Sequence, residues 1–441
     1  MMAIFVSVPV LLIDCEDCSS FSGGGCMQGS GDSSSRATLI VFGLLFCVFP
    51  FGPAFQSLGQ ALVFLTSLYL VRSRLGPSFR MMPRDVRWLL GGMAAFLLWN
   101  VLATLISPSQ HSSQPLSYFV GYAPLFILPW LTGLLPKLNE ARRKTLLSWA
   151  ALLVFAWGLV VFSQYLWPWR LSGLSLVEHT TRRAQGFYSH PMSLAYASLL
   201  LWPLAVRLLL KSPGLWQSWL FASGAGMLLL FSMSRIVQVL AAVFVLWNVF
   251  IMLSGRQRLL ALVASLLMGA GLAVTDNPVS ARFHNLLHPT AHDVMSDYPD
   301  DRLAFWHAHL LIIQERPWLG HGVHQGNAFR KPYYERLGLG DFKKQYQAHN
   351  QYIQFVAEGG LISLALYGFW LVMSWMVLRR WIADPFIRST GQQTLLIFSL
   401  GVLTQNGFDD TCVRMGVVIL YCVLFLNLPS WTGRPEAGSA A

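Results

Sequence analysis

The 441-residue sequence predicts an all-α protein that crosses a membrane many times. Two observations carry that expectation. Hydrophobic residues make up 54% of the chain and charged ones only 12%, about half the roughly 25% charge of an ordinary soluble domain. Several runs also approach or exceed the roughly 18 to 20 apolar residues with which an α-helix crosses about 30 Å of hydrocarbon. Continuous runs, in place of alternation at every second residue, select helices over a β-barrel. A soluble single-core enzyme is excluded.

The first 36 residues stand apart, with a short apolar run and then a Cys-, Gly- and Ser-rich stretch ending at Arg36. They read as a cytoplasmic, disordered tail. A signal peptide would need a positive n-region, and a lipoprotein signal a small residue where Asp14 precedes Cys15. Cys15, Cys18 and Cys26 form half of a zinc pattern with no second pair at ligand spacing. From residue 37 to 274 the apolar windows give nine spans: 37–53, 56–71, 88–106, 117–135, 146–166, 190–206, 215–232, 236–253 and 259–274. The first two are short and separated by Pro50, Phe51, Gly52 and Pro53, so a hairpin is an alternative to two crossings. Residues 275–349 form a large loop module, 350–428 hold three further spans (351–377, 394–408 and 412–428), and 429–441 a second cytoplasmic tail. That makes about 12 spans.

Charge sets the orientation. With the N-terminus inside, short cytoplasmic loops carry Arg72, Arg74, Arg80, Arg84, Arg87, Lys137, Arg142, Arg143, Lys144, Arg207, Lys211, Arg256, Arg258, Arg379, Arg380 and Arg388, whereas the opposite loop at 107–116 has no charge. This is the positive-inside pattern, with both termini cytoplasmic. The net charge of +11 is therefore largely topological. Its spread over separate loops argues against a nucleic-acid partner and leaves membrane lipids as the basic residues' neighbours.

The 275–349 segment is too long for a simple connection and must fold as a module on the outer side. It holds eight of the chain's 11 histidines: His284, His288, His292, His307, His309, His321, His324 and His349. His284, His288 and His292 share a four-residue spacing that Pro289 interrupts, and His307 with His309 and His321 with His324 are further pairs. None completes a metalloprotease-like ligand set, so no metal is expected. Residues 301–313 read as an amphipathic helix on or near the membrane surface. Arg316-Pro317 stops it, and Gly320 and Gly322 turn the chain. A new helix begins after His349-Asn350 and runs through Gly359 and Gly360.

Arginine is costly in lipid, so Arg182, Arg183, Arg235 and Arg302, all near outer helix ends, are the candidates for function. Snorkelling to headgroups is the bland alternative, weakest for Arg235, which apolar residues flank on both sides. Several guanidiniums with one imidazole suit a lipid pyrophosphate. The forked cations would hold a departing diphosphate, and a neutral histidine would take the proton from an attacking hydroxyl.

These residues resemble the bacterial O-antigen ligase and O-antigen polymerase superfamily, closest to the ligase. The motif is His349-Asn350-Gln351-Tyr352-Ile353 followed by six residues and Gly360, with Asn350 where Ser is common and Ile353 where Leu is common. The Arg302 helix with Glu315-Arg316-Pro317-Trp318-Leu319-Gly320, the stretch Arg183-Ala184-Gln185-Gly186-Phe187 before His190, and Ser232-Met233-Ser234-Arg235 also match. The resemblance implies a GT-C-like enzyme of the bacterial inner membrane, its active site facing the periplasm. Its donor would be undecaprenyl-diphosphate-linked glycan and its acceptor lipid A-core. Transfer would be inverting and independent of metal or other cofactor. His349 would be the catalytic base, and Arg235 and Arg302 would bind diphosphate, with Arg183 or Arg182 in support. His190, Asn350, Glu358 and Asp409 would line the cavity. An O-antigen polymerase or a pilin O-oligosaccharyltransferase would use the same donor. A transporter is the alternative from another class, and it would show repeats and broken helices at mid-membrane.

Overall fold

The computed structural model describes residues 29–51, 53–72, 75, 81–107, 121–167, 177–178, 183–188, 190–274, 301–323, 327–339, 347–403 and 411–428. Arg182, Asp409, the cysteines at 15, 18 and 26, and the histidines at 284, 288, 292 and 324 lie outside these residues, as does the side chain of Arg183. In chain order the helices are α1 (Gly29–Val48), α2 (Pro53–Val71), α3 (Arg84–Leu105), α4 (Pro124–Gly133), α5 (Glu140–Leu166), α6 (Pro191–Lys211), α7 (Trp216–Phe231), α8 (Arg235–Met252), α9 (Gly255–Val274), α10 (Asp301–Glu315), α11 (Asn327–Arg336), α12 (Gln351–Trp381), α13 (Pro385–Ile397) and α14 (Thr411–Leu426). Between α5 and α6, β1 (Val177–Glu178) pairs antiparallel with β2 (Arg183–Ala184). A π-turn, Phe398–Val402, extends α13.

Five helices are each long and apolar enough to cross a membrane: α3, α5, α6, α8 and α12. Shorter apolar helices occur at Arg36–Val48, Phe55–Val71 and Val413–Leu426. Most expected spans match a helix within a few residues, since apolar run length is itself the driving observation. Two differ: α1 starts at Gly29 inside the expected tail, and α13 starts at Pro385, ahead of the span expected at 394–408, so that Arg388 lies in a helix and not in a loop. Helix α6 occupies the centre, with 72% of its apolar window buried. Small residues let its neighbours approach: a side chain at Gly224 of α7 would come within 2.6 Å of the backbone of Val154 and Phe155 in α5. Close backbone approach through glycine is how helices pack where lipid competes for every apolar contact.

Helix α12 is not continuous. Gly360 has φ 70° and ψ −176°, a region open to glycine alone. The break is filled by the chain that follows α10. His321 N donates to Ala357 O at 3.0 Å, Gly322 N to Glu358 O at 2.8 Å, and Leu361 N to Pro317 O at 2.8 Å. Backbone groups freed by a helix break need partners inside the protein, and here another segment of the chain supplies them. From α3, Trp99 Nε1 donates to Gly359 O at 2.7 Å, and Asn100 Oδ1 accepts from Ser363 Oγ at 3.1 Å.

Helix α10, expected as an amphipathic helix, packs its apolar face on other parts of the chain. Its buried face, with Phe305, Ala308 and Ile312, meets Tyr333 and Tyr334 of α11 and Ala357 of α12. The end of α10 is fixed to α11 by Glu315, which accepts from Tyr333 Oη at 2.7 Å and Arg336 Nη1 at 2.6 Å. Those two donors hold its carboxyl below the usual range.

Candidate functional site

His349 immediately precedes the cap of α12. Asn350 Oδ1 accepts from the amides of Tyr352 at 3.0 Å and Ile353 at 3.3 Å, as an N-cap should. His349 is half-buried and has φ 48°, in the left-handed region that residues other than glycine rarely adopt. Its ring lies against Phe305 of α10, with centroids 5.3 Å apart. The residue before it is gripped twice. Trp306 Nε1 donates to Ala348 O at 2.9 Å, and Ala348 N donates to Gln354 Oε1 at 3.2 Å. Gln354 Nε2 in turn donates to Glu358 Oε1 at 2.7 Å. Glu358, expected to line the cavity, is buried and steadies the loop that aims the imidazole.

Burial depresses the pKa of His349, and the nearby charges of Arg302 and His190 push it further in the same direction. The imidazole is therefore neutral at neutral pH, the form in which a histidine can accept a proton. The same interaction brings three sequence candidates together from separate elements: His349 before α12, Arg302 in the first turn of α10, and His190 at the start of α6. Arg302 and His190 are exposed. His190 also caps α6, its Nδ1 accepting from Met192 N at 3.1 Å.

Arg235 belongs to this end of the molecule through its helix. Helices α6, α7 and α8 are joined by short turns and run alternately, so α6 and α8 begin on the same side. The π-turn links them to α12: Tyr352 Oη donates to Ser399 O at 2.9 Å, and Gly401 sits so close to Leu199 of α6 and Leu240 of α8 that a Cβ there would come within 2.8 and 2.7 Å. Leu240 is one to two turns from Arg235, roughly 7 to 8 Å along the axis. The turn before α8 is tight, with Ser232 and Ser234 buried and Met233 at φ 54°. Among the described residues, Met233 and His349 are the two with positive φ that are not glycine. Strain of this kind collects at functional sites, and both cases adjoin candidates chosen from sequence alone.

Of the remaining candidates, Arg183 contributes its backbone to the β-ladder, opposite Glu178. The residues sequence reasoning missed are Phe305, Trp306 and Gln354. Only Gln354 had a signal, standing four residues before Glu358 on one helical face.

His309 lies beneath the site. It is 1% exposed, with Nδ1 bonded to Phe305 O at 2.8 Å. Burial, with Arg330 and His349 adding to it, lowers its pKa to about 4. The unfolded chain therefore binds a proton below about pH 6.5 that the folded state refuses until about pH 4. The stability present above pH 6.5 should fall as acid is added across that window, by up to roughly 3 kcal/mol. Thermal unfolding followed from pH 7 to 4 should show this decline, reduced in His309→Gln.

The long apolar helices mark a helical membrane protein, and the start of α12 holds a neutral histidine with Arg302 near it. Residues 219–368 match the Wzy_C family model, described as O-antigen ligase, and the match supports the O-antigen ligase and polymerase superfamily for this chain. The matched segment includes Arg235, Arg302, His349, Asn350 and Glu358 and excludes Arg182, Arg183, His190 and Asp409. No curated protein matches the chain.

Proposed function

We propose that this protein is an O-antigen ligase-type glycosyltransferase, moving a glycan from undecaprenyl diphosphate to lipid A-core on the periplasmic face of the bacterial inner membrane. The observation that carries the reading is a neutral, half-buried His349 on a strained backbone, close to Arg302. In the proposed step the acceptor hydroxyl oxygen attacks the anomeric carbon of the donor sugar, and the bond from that carbon to the diphosphate oxygen breaks. His349 takes the hydroxyl proton. The electron pair of the broken bond leaves on the diphosphate, held by Arg302 and Arg235 with Arg183 or Arg182 in support. One displacement without a covalent intermediate inverts the anomeric centre. The step uses no metal or other cofactor, because the arginine forks supply the charge that a divalent ion would otherwise bring.

A broken helix is also a transporter feature. The break at Gly360, however, already has its backbone groups bonded to residues 317–322, which favours a sealed structural joint over an ion site. Replacing Arg235 or Arg302 by Lys should lower transfer about ten- to a hundredfold, because the charge remains and the bidentate contact is lost. Turnover of lipid-linked glycan by purified variants measures this, and unaltered rates would mean that the arginines only meet headgroups.

The deciding experiment is a lipopolysaccharide gel of a deletion strain complemented with wild type or His349→Ala, run beside assays of lipid-linked glycan and pilin glycosylation. Loss of the ladder with polymer retained on undecaprenyl diphosphate, restored by wild type alone, supports the ligase. Core bearing a single repeat would indicate a polymerase, and an unglycosylated pilin with a normal ladder a protein-directed transferase.

A further inference from the structure

At the end of α12 opposite His349, roughly 40 Å away along the helix, a cleft of about 480 Å³ opens between α12 and α13, lined by Trp375, Arg379, Arg388 and Gln392. Two arginines therefore line one open cleft, with no acid among its lining residues. Two acids at this end of α12 are engaged elsewhere. Asp85 accepts from Arg380 at 3.0 Å and from Trp381 Nε1 at 3.3 Å, while Asp384 Oδ1 caps α13 by accepting from the amides of Phe386 and Ile387. Arg388 makes one long bond, Nη1 to Ile382 O at 3.5 Å, and Arg379 is exposed. Above the cleft, an exposed apolar stripe descends α12 through Leu361, Ala365, Phe369, Val372 and Trp375 to Arg379. Its spacing of three and four residues is that of one helical face.

We propose that this cleft binds the headgroup of an anionic phospholipid, with the phosphodiester between Arg379 and Arg388 and the acyl chains along the stripe. Gln392 supplies a further donor, and the Trp375 indole lies at the level where headgroup meets hydrocarbon, the depth that tryptophan favours. Basic pockets between spans are the expected form of such sites. The proposal goes beyond glycan transfer and requires only that α12 and α13 stand in a membrane.

The test is native mass spectrometry of the full chain purified in mild detergent, comparing wild type, Arg379→Gln/Arg388→Gln, Arg379→Lys/Arg388→Lys and Arg256→Gln. The last removes a cation from the first turn of α9, outside the cleft. Wild type should retain phosphatidylglycerol or cardiolipin, the Gln pair at least about fivefold less, the Lys pair an intermediate amount, and Arg256→Gln the wild-type amount. Added cardiolipin should raise the melting temperature of delipidated wild type, whereas phosphatidylethanolamine or inorganic phosphate should not. Equal retention by the Gln pair, equal loss in Arg256→Gln, or equal stabilisation by inorganic phosphate would each overturn the proposal, the last by making the cleft a general anion site.

Discussion

Replacing His349 by Ala should lower glycan transfer by roughly a hundred- to ten-thousandfold, the range that a positioned general base contributes, while leaving the protein folded and inserted. The fold should survive because the His349 ring is only half-buried and lies against Phe305 near the start of α12. The loop's position is set by backbone atoms of Ala348 and by the Asn350 cap, none of which the substitution removes. A sharper variant is His349→Asn. Asparagine tolerates the left-handed φ better than most residues, so this variant should be at least as stable as wild type and equally inactive. A stable Asn variant with full turnover would remove the base from the mechanism.

The pH profile follows from the same geometry. Burial, Arg302 and His190 all favour the neutral imidazole, so the folded value lies below the ordinary one of about 6.5. A base works when unprotonated. Transfer should therefore stay level as pH falls through 6.5 and decline only below it. Arg302→Gln removes the larger of the two charge effects, so its acid limb should move upward toward 6.5 even as the rate falls. Turnover measured from pH 5 to 8 reads both changes. An acid limb that does not move would separate Arg302 from His349.

Apolar run length made the long helices legible, because length and hydropathy are what the bilayer demands of a span. His349, Arg235 and Arg302 stood out as candidates because charge or imidazole near a helix start in so apolar a chain is costly and therefore conspicuous, and Asn350 entered through the motif that it shares with His349. The cross-chain contacts were not. Nothing in the local pattern around Phe305 says that α10 turns its apolar face to Tyr333, Tyr334 and Ala357, since amphipathicity names a buried face without naming what buries it. Glu358 was named as cavity-lining through the family resemblance alone, and its bond from Gln354 could not be read from the sequence. The left-handed turn at Met233 escaped as well, because methionine carries no propensity for it.

The helix break was the least legible feature and gives the largest expected loss of stability. Gly359 and Gly360 lie within an apolar run and read as weak positions in a continuous helix, each costing about 1 kcal/mol relative to Ala. On that reading, Gly360→Ala would stabilise. The structure reverses the sign. At φ 70° a Cβ on Gly360 would collide with the carbonyl of Trp318, and one on Gly320, at φ 68°, with the carbonyl of Glu358. Both obstacles are backbone, which no rotamer change can clear. Gly360→Ala should therefore cost several kcal/mol and separate residues 317–322 from α12, displacing the module that carries Arg302 and Phe305 against His349. Gly368→Ala is the control. It lies two turns further along the same helix with nothing within 4 Å of its would-be side chain, so it should be neutral or stabilise by up to about 1 kcal/mol. Membrane yield and thermal unfolding of the two variants decide the matter: a pair that behaves alike would mean that α12 is continuous at Gly360.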